Sequence, residues 1–144
     1  MIAYADTGFL VSLYSRDAHS AIASSLVGSS QPTFILNALG ETEFTNALQL
    51  RVFRREWTPR EARLVRENFE RHQADGLFHI EPLSPEVWER ALSLSRRHSA
   101  RLGTRTLDVL HVAAALVHKP EVFYTFDERQ GQLARAERLS VLPA

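Results

Sequence analysis

Apolar residues along the chain follow two rhythms. Short apolar runs, bounded by polar or turn-forming residues, read as buried strands. Ile2 to Ala5 and Thr33 to Leu36 are of this kind, the second entered through Pro32. Phe78 to Glu81, Val122 to Phe126 and Ser140 to Leu142 continue the series, with Val122–Phe126 the strongest. Between them, apolar residues recur at helical spacing. Helices are expected over Phe9 to Ser15, and over His19 to Val27 with a stop at Gly28. Glu41 to Arg54 carries an apolar stripe of Phe44, Ala47, Leu48 and Val52. Thr58-Pro59-Arg60-Glu61 is a capping box with proline at the first helical position, so the next helix starts there and ends before Gly76. Ser84-Pro85 opens another, with Val87, Trp88, Ala91, Leu92 and Ser95 expected to face inward, and Gly103 closes it. Thr106 to His118 is apolar on most sides, which places it in a core. Asp127 to Ala136 is the last helix.

Strands separated by helices predict an α/β fold, a parallel sheet with helices on both faces. The 144 residues fit one domain, 1–144, with no repeat or linker. A composition of 44% hydrophobic and 24% charged residues excludes disorder. Cysteine is absent, which excludes disulfides and thiolate-bound zinc. The longest apolar run, Val112 to Val117, is too short to span a bilayer, and Met1 to Asp6 has no signal-peptide character, so a cytoplasmic protein without membrane contact is expected.

Seventeen basic residues balance seventeen acidic ones, and only Lys119 among the bases is not arginine. A zero total excludes strong nonspecific attraction of the whole molecule to nucleic acid. The charge is uneven: residues 72–89 carry four acids and no Lys or Arg, and residues 90–105 carry five arginines and no acid. Arginine suits phosphate through its planar fork, so the Arg90–Arg105 run is a candidate polyanion contact.

In parallel sheets, ligands sit beyond the carboxyl ends of the strands. That rule selects Asp6, directly after the first strand, and Asp127, after the Val122–Phe126 strand. Glu43 and Asp108 join them, each expected in the first turn of its helix. Plainer roles exist. Asp6 fits an N-cap, Asp127 with Gln130 fits a capping pair, and Glu43 suits a helix dipole. Asp108 is surplus if Thr106 is the cap. Capping does not explain why four acids share one sheet edge. Carboxylates gathered there would repel by about 4 kcal/mol per pair at 4 Å and an effective dielectric near 20. A hard divalent cation, Mg²⁺ or Mn²⁺, removes that conflict and suits phosphoryl chemistry.

Four segments carry a family resemblance: Ala5-Asp6-Thr7-Gly8-Phe9-Leu10, Glu43-Phe44-Thr45-Asn46-Ala47-Leu48, Arg105 to Ala115, and Tyr124-Thr125-Phe126-Asp127-Glu128-Arg129-Gln130. In this order and spacing, the chain resembles PIN-domain ribonucleases, specifically the single-domain VapC-type toxins of type II toxin–antitoxin systems. The resemblance covers essentially the whole chain. It implies a three-layer α/β/α fold with strand order 3-2-1-4-5 and Mg²⁺-dependent endonucleolytic cleavage of RNA. It implies a homodimer and a cognate antitoxin that blocks the site. It carries over Asp6, Glu43, Asp108 and Asp127 as catalytic acids and metal ligands, with Asp6 and Asp108 direct and the other two direct or through water. Thr125 matches a position that supports such a site by hydrogen bonding.

Other readings are weaker. His111 lies three residues after Asp108, but the remaining histidines lack zinc-ligand spacing, so a core histidine bonded to a neighbour is favoured. Trp57 and Trp88 read as packing residues, although Trp57 stands beside Arg54 and Arg55, where it could meet RNA. A haloacid-dehalogenase-like phosphatase wants an acid where Gly8 stands, and a phospho-receiver wants a lysine after a late strand, whereas Lys119 precedes one. A catalytically silent interaction module on the same fold remains the alternative.

Overall fold

A computed structural model describes residues 1–144. Five strands, β1 (Ile2–Ala5), β2 (Thr33–Leu36), β3 (Phe78–Ile80), β4 (Val122–Tyr124) and β5 (Val141–Leu142), form one sheet. Its order is β3-β2-β1-β4-β5, and every pairing is parallel. Register sets Tyr4 beside Ile35 on one side and Phe123 on the other.

The alternation of side chains along each strand divides the core into two layers. Tyr4, Ile35 and Phe123 point to one face, where α5 (Pro85–Leu94), α7 (Thr106–His118) and α8 (Glu128–Ala136) cover them. Ala3, Ala5, Phe34, Leu36 and Tyr124 point to the other. There they meet α1 (Thr7–Tyr14), α2 (Ser20–Ser30), α3 (Ala38–Phe53) and α4 (Pro59–Ala74). The result is the three-layer α/β/α fold with strand order 3-2-1-4-5. No helix is long and apolar enough to cross a membrane.

Local differences from the sequence reading have physical causes. Helix α3 begins at Ala38, because the Asn37 side chain accepts a hydrogen bond from the Gly40 N–H (2.9 Å) and caps it. Helix α2 runs through Gly28 to Ser30 and ends where Gln31 turns left-handed. In α5 the buried stripe is Val87, Ala91 and Leu94, and the expected inward positions Trp88 and Leu92 are exposed at 50% and 58%. A π-helical turn over Ser95–Ser99 leads into α6 (Ala100–Leu102), which ends at Gly103 with φ +67°. Strand β4 stops at Tyr124, so Thr125 and Phe126 form the bend that turns Asp127 toward the sheet edge.

Candidate active site

Parallel pairing puts every strand's carboxyl end on one edge, and the four acids meet there. Asp6, Glu43, Asp108 and Asp127 all line one cavity of about 190 Å³, together with Thr7, His111 and Gln130.

Asp6 follows β1 and caps α1: one oxygen accepts the Phe9 N–H (2.8 Å) and the other the Thr125 hydroxyl (2.5 Å). Its carboxyl is buried, and burial pushes its pKa above the ordinary aspartate value. The two hydrogen bonds oppose that rise and the negative Asp127 nearby adds to it. Asp127 caps α8, accepting the Gln130 N–H (2.8 Å), and its own N–H donates to the Thr125 hydroxyl (2.9 Å). Thr125 thus ties two acids together from the bend after β4, matching the supporting position expected for it.

Asp108 is not surplus to capping. No side chain of Thr106 caps α7. Instead Asp108, in the first turn, accepts the Arg105 N–H (2.9 Å), and its other oxygen accepts the Gln130 side-chain amide (3.3 Å). Gln130 therefore links Asp127 and Asp108. Its carbonyl oxygen Oε1 is buried without a hydrogen-bond partner.

Glu43 lies in the second turn of α3 rather than the first, because the helix starts three residues earlier than expected. It accepts hydrogen bonds from the Thr7 hydroxyl (2.9 Å) and His111 Nε2 (2.5 Å). Burial would raise its pKa, but the hydrogen bonds from His111 and Thr7 oppose that and the carboxyl is held below the usual glutamate range.

Behind Glu43 runs a buried chain of hydrogen bonds. Asn37 Oδ1 is committed to the Gly40 N–H, so Nδ2 donates to the Tyr4 hydroxyl (3.2 Å). Tyr4 then donates to His111 Nδ1 (2.8 Å), which leaves the Nε2 proton for Glu43. Burial pushes the Tyr4 phenol well above its ordinary pKa, so it stays a donor. Both imidazole nitrogens are occupied, and a zinc site on Asp108 and His111 is excluded in this arrangement. The sequence reading missed Tyr4, Thr7 and Asn37, and gave Gln130 only as the capping partner that it is for Asp127. Asn37 was findable, since it directly follows β2.

The Arg90–Arg105 run does not act as a unit. Arg90 pairs with Glu86 (3.8 Å) and Arg97 with Glu137 (2.5 Å). Arg105 alone of the run reaches the site, facing Arg129 across a cleft of about 270 Å³ that also contains Asp108 and Asp127. The largest cavity, about 550 Å³ around Tyr14, Phe34, His72 and Leu77, opens at the amino ends of β2 and β3, away from the acids.

No three His, Asp or Glu side chains stand close enough to enclose one ion between them. The donor set is nonetheless all oxygen, with carboxylate lone pairs and the orphaned Gln130 Oε1 unspent. The cavity has room for several waters. These residues fit a hydrated Mg²⁺ held partly through water, the habit of that ion, and not a dry protein cage.

A parallel sheet ordered 3-2-1-4-5, with four acids lining one cavity at its carboxyl edge, defines an α/β/α protein with an oxygen-lined site. Residues 3–136 match the PIN domain family, and the chain belongs to it. Solved structures agree in fold. VapC20 of Mycobacterium tuberculosis, a sarcin-ricin loop cleaving toxin, is 21% identical with a TM-score of 0.68 over 93% of this chain and 94% of that one. FitAcB from Neisseria gonorrhoeae is 18% identical, TM-score 0.71, over 98% and 96%. VapBC2 from Rickettsia felis, bound to a DNA fragment from its promoter, is 13% identical, TM-score 0.66, over 98% and 97%. No curated protein is a significant sequence match.

Proposed function

We propose that this PIN-domain chain is a Mg²⁺-dependent endoribonuclease that hydrolyses RNA phosphodiester bonds as the toxin of a toxin–antitoxin pair. The observation that carries this reading is the meeting of Asp6, Glu43, Asp108 and Asp127, from four separate elements, around one cavity. All four are proposed as catalytic acids and metal ligands, Asp6 and Asp108 the direct ones. Mn²⁺ is expected to substitute. Such a cation offsets charge on a phosphate diester and makes water a better nucleophile at neutral pH. The protein's part is to hold the acids ready. Thr125 and the Phe9 N–H keep the Asp6 carboxylate oriented, and His111 and Thr7 favour ionised Glu43. Gln130 spaces Asp108 from Asp127.

The toxin role draws on the solved relatives that are toxin–antitoxin complexes. It implies an antitoxin protein that covers the acidic site, a homodimer, and action in the cytoplasm. Sedimentation should give twice the 16.3 kDa chain mass, and the product of the adjacent reading frame should co-purify. The deciding experiment is RNA cleavage by Asp6→Asn and Asp108→Asn. Both are expected to lose cleavage with an unchanged circular dichroism spectrum, and unchanged cleavage by both rejects the site. One observation favours the second reading, a catalytically silent interaction module: each of the four carboxylates already accepts a hydrogen bond within the protein.

A further inference from the structure

The acid cavity is the middle of a longer trough. On one side it shares Asp108 and Asp127 with the cleft of Arg105 and Arg129. On the other it shares Thr7, Gly8 and Phe126 with a cleft of about 360 Å³ that contains His19, Arg51 and Arg54. Arg51 is spoken for, lying 3.5 Å from Asp17 and over the Trp57 ring. Arg54, Arg105 and Arg129 form no ion pair, although carboxylates line all three clefts of the trough. Free cations therefore flank the acids at both ends.

A column of aromatic rings rises beside the acids. Tyr124 and Phe9 are stacked in the core (4.7 Å between ring centres), and Phe126 stacks on Phe9 (5.2 Å). His19 stacks on Phe126 (4.3 Å, planes 17° apart). His19 is the exposed end of the column, and neither of its ring nitrogens forms a hydrogen bond within the protein. Phe126 stands between Thr125 and Asp127, so the column is fixed to the chain segment that sets two of the acids. A flat ring on a rigid base, at the end of an acidic cavity and beside a free arginine, is how a protein receives an unpaired base.

We infer that His19, seated on Phe126, is a stacking platform for one unpaired RNA base next to the cleaved phosphate. Neighbouring phosphates lie on Arg54 at that end and on Arg105 and Arg129 at the other. The inference rests on the nuclease reading, and the platform needs an unpaired base, because a paired base has no free face to stack.

The test uses a fluorescein-labelled single-stranded oligoribonucleotide spanning a cleavage site, and versions with one abasic nucleotide walked through it. Binding is measured with Asp108→Asn protein, alone and combined with His19→Ala or His19→Phe. Cleavage by the wild-type chain and by His19→Ala is followed in parallel. One abasic position should weaken binding roughly 5- to 100-fold. His19→Ala should weaken binding of the intact strand to a similar degree and abolish the abasic penalty. His19→Phe should restore both. A His19→Ala protein that binds and cuts as the wild type does overturns the platform and leaves the nuclease reading standing. An abasic penalty that survives His19→Ala does the same. Wild-type protein that neither binds nor cuts any RNA overturns both.

Discussion

At the residue scale, the site's acids differ in what they cost the fold. Burial holds the Asp6 pKa above 3.8. Below that value the carboxyl is neutral in folded and unfolded chains alike and contributes nothing. Between that value and the higher folded-state pKa, the folded protein retains a proton the unfolded chain has released, so stability falls as pH rises. Asp6→Asn should therefore melt higher than the parent at pH 7 in chelator while losing activity, checked by calorimetry beside the cleavage assay. Glu43 has the opposite sign. Its pKa lies below 4.5 in the folded chain, so its contribution is present at neutral pH and is lost as pH falls below about 4.5. The chain behind Glu43 depends on every member. Tyr4→Phe leaves Asn37 Nδ2 and His111 Nδ1 without partners, each buried orphan costing about 1–3 kcal/mol, measurable by urea unfolding. The acids themselves were legible as residues that follow strands. The relay was not: Tyr4 lies 107 positions from His111, and nothing local marks the pair.

At the element scale, the strongest strand signal, Val122–Phe126, overran β4 by two residues, while three other elements kept their expected bounds. Strands β1 and β2 and helix α7 run between the residues their patterns indicate. The start of α3 was obscured because Gly40, a poor helix former, separates Ala38-Leu39 from the stripe that follows. The turn exists because Asn37 caps it and Gly40 fits 3.2 Å from Leu36, measured from where a Cβ would stand. Asn37→Ala should cost about 1 kcal/mol as a cap, more with the Tyr4 bond lost, and Asn37→Asp should restore the cap but not that bond. Equilibrium unfolding of the two variants separates these contributions. Trp88 and Leu92 misled because hydrophobicity alone does not orient a helix. The closer fit of Val87, Ala91 and Leu94 against α7 decided the buried face. Gly103, at φ +67°, ends α6, and Gly103→Ala should destabilise by about 1 kcal/mol.

At the scale of the whole molecule, charge placement decides behaviour that net charge hides. The total is zero, yet acids gather at one cavity and unpaired arginines stand on either side. Divalent cation binding should stabilise the protein. At 100 times its Kd, Mg²⁺ should add about 2.7 kcal/mol, seen as a rise in melting temperature that Asp6→Asn and Asp108→Asn lack. No rise at millimolar Mg²⁺ or Mn²⁺ would favour the silent module. RNA affinity should fall with salt, and Arg105→Gln and Arg129→Gln should each lower the slope of log K against log salt by about one. Topology was foreseen from the alternation of strands and helices together with the family resemblance. Which arginines stay free was not, because their partners lie in distant segments, as Glu137 does for Arg97.

The place of β1 has one more effect. This strand sits at the centre of the sheet, and its second neighbour, β4, begins at residue 122. The hydroxyl that steadies Asp6 is likewise 119 residues downstream. A nascent chain thus carries an unfinished cleft until β4 and Thr125 have been added. Chains cut short before Thr125 lack that hydroxyl and β4, and should be inert in the cleavage assay.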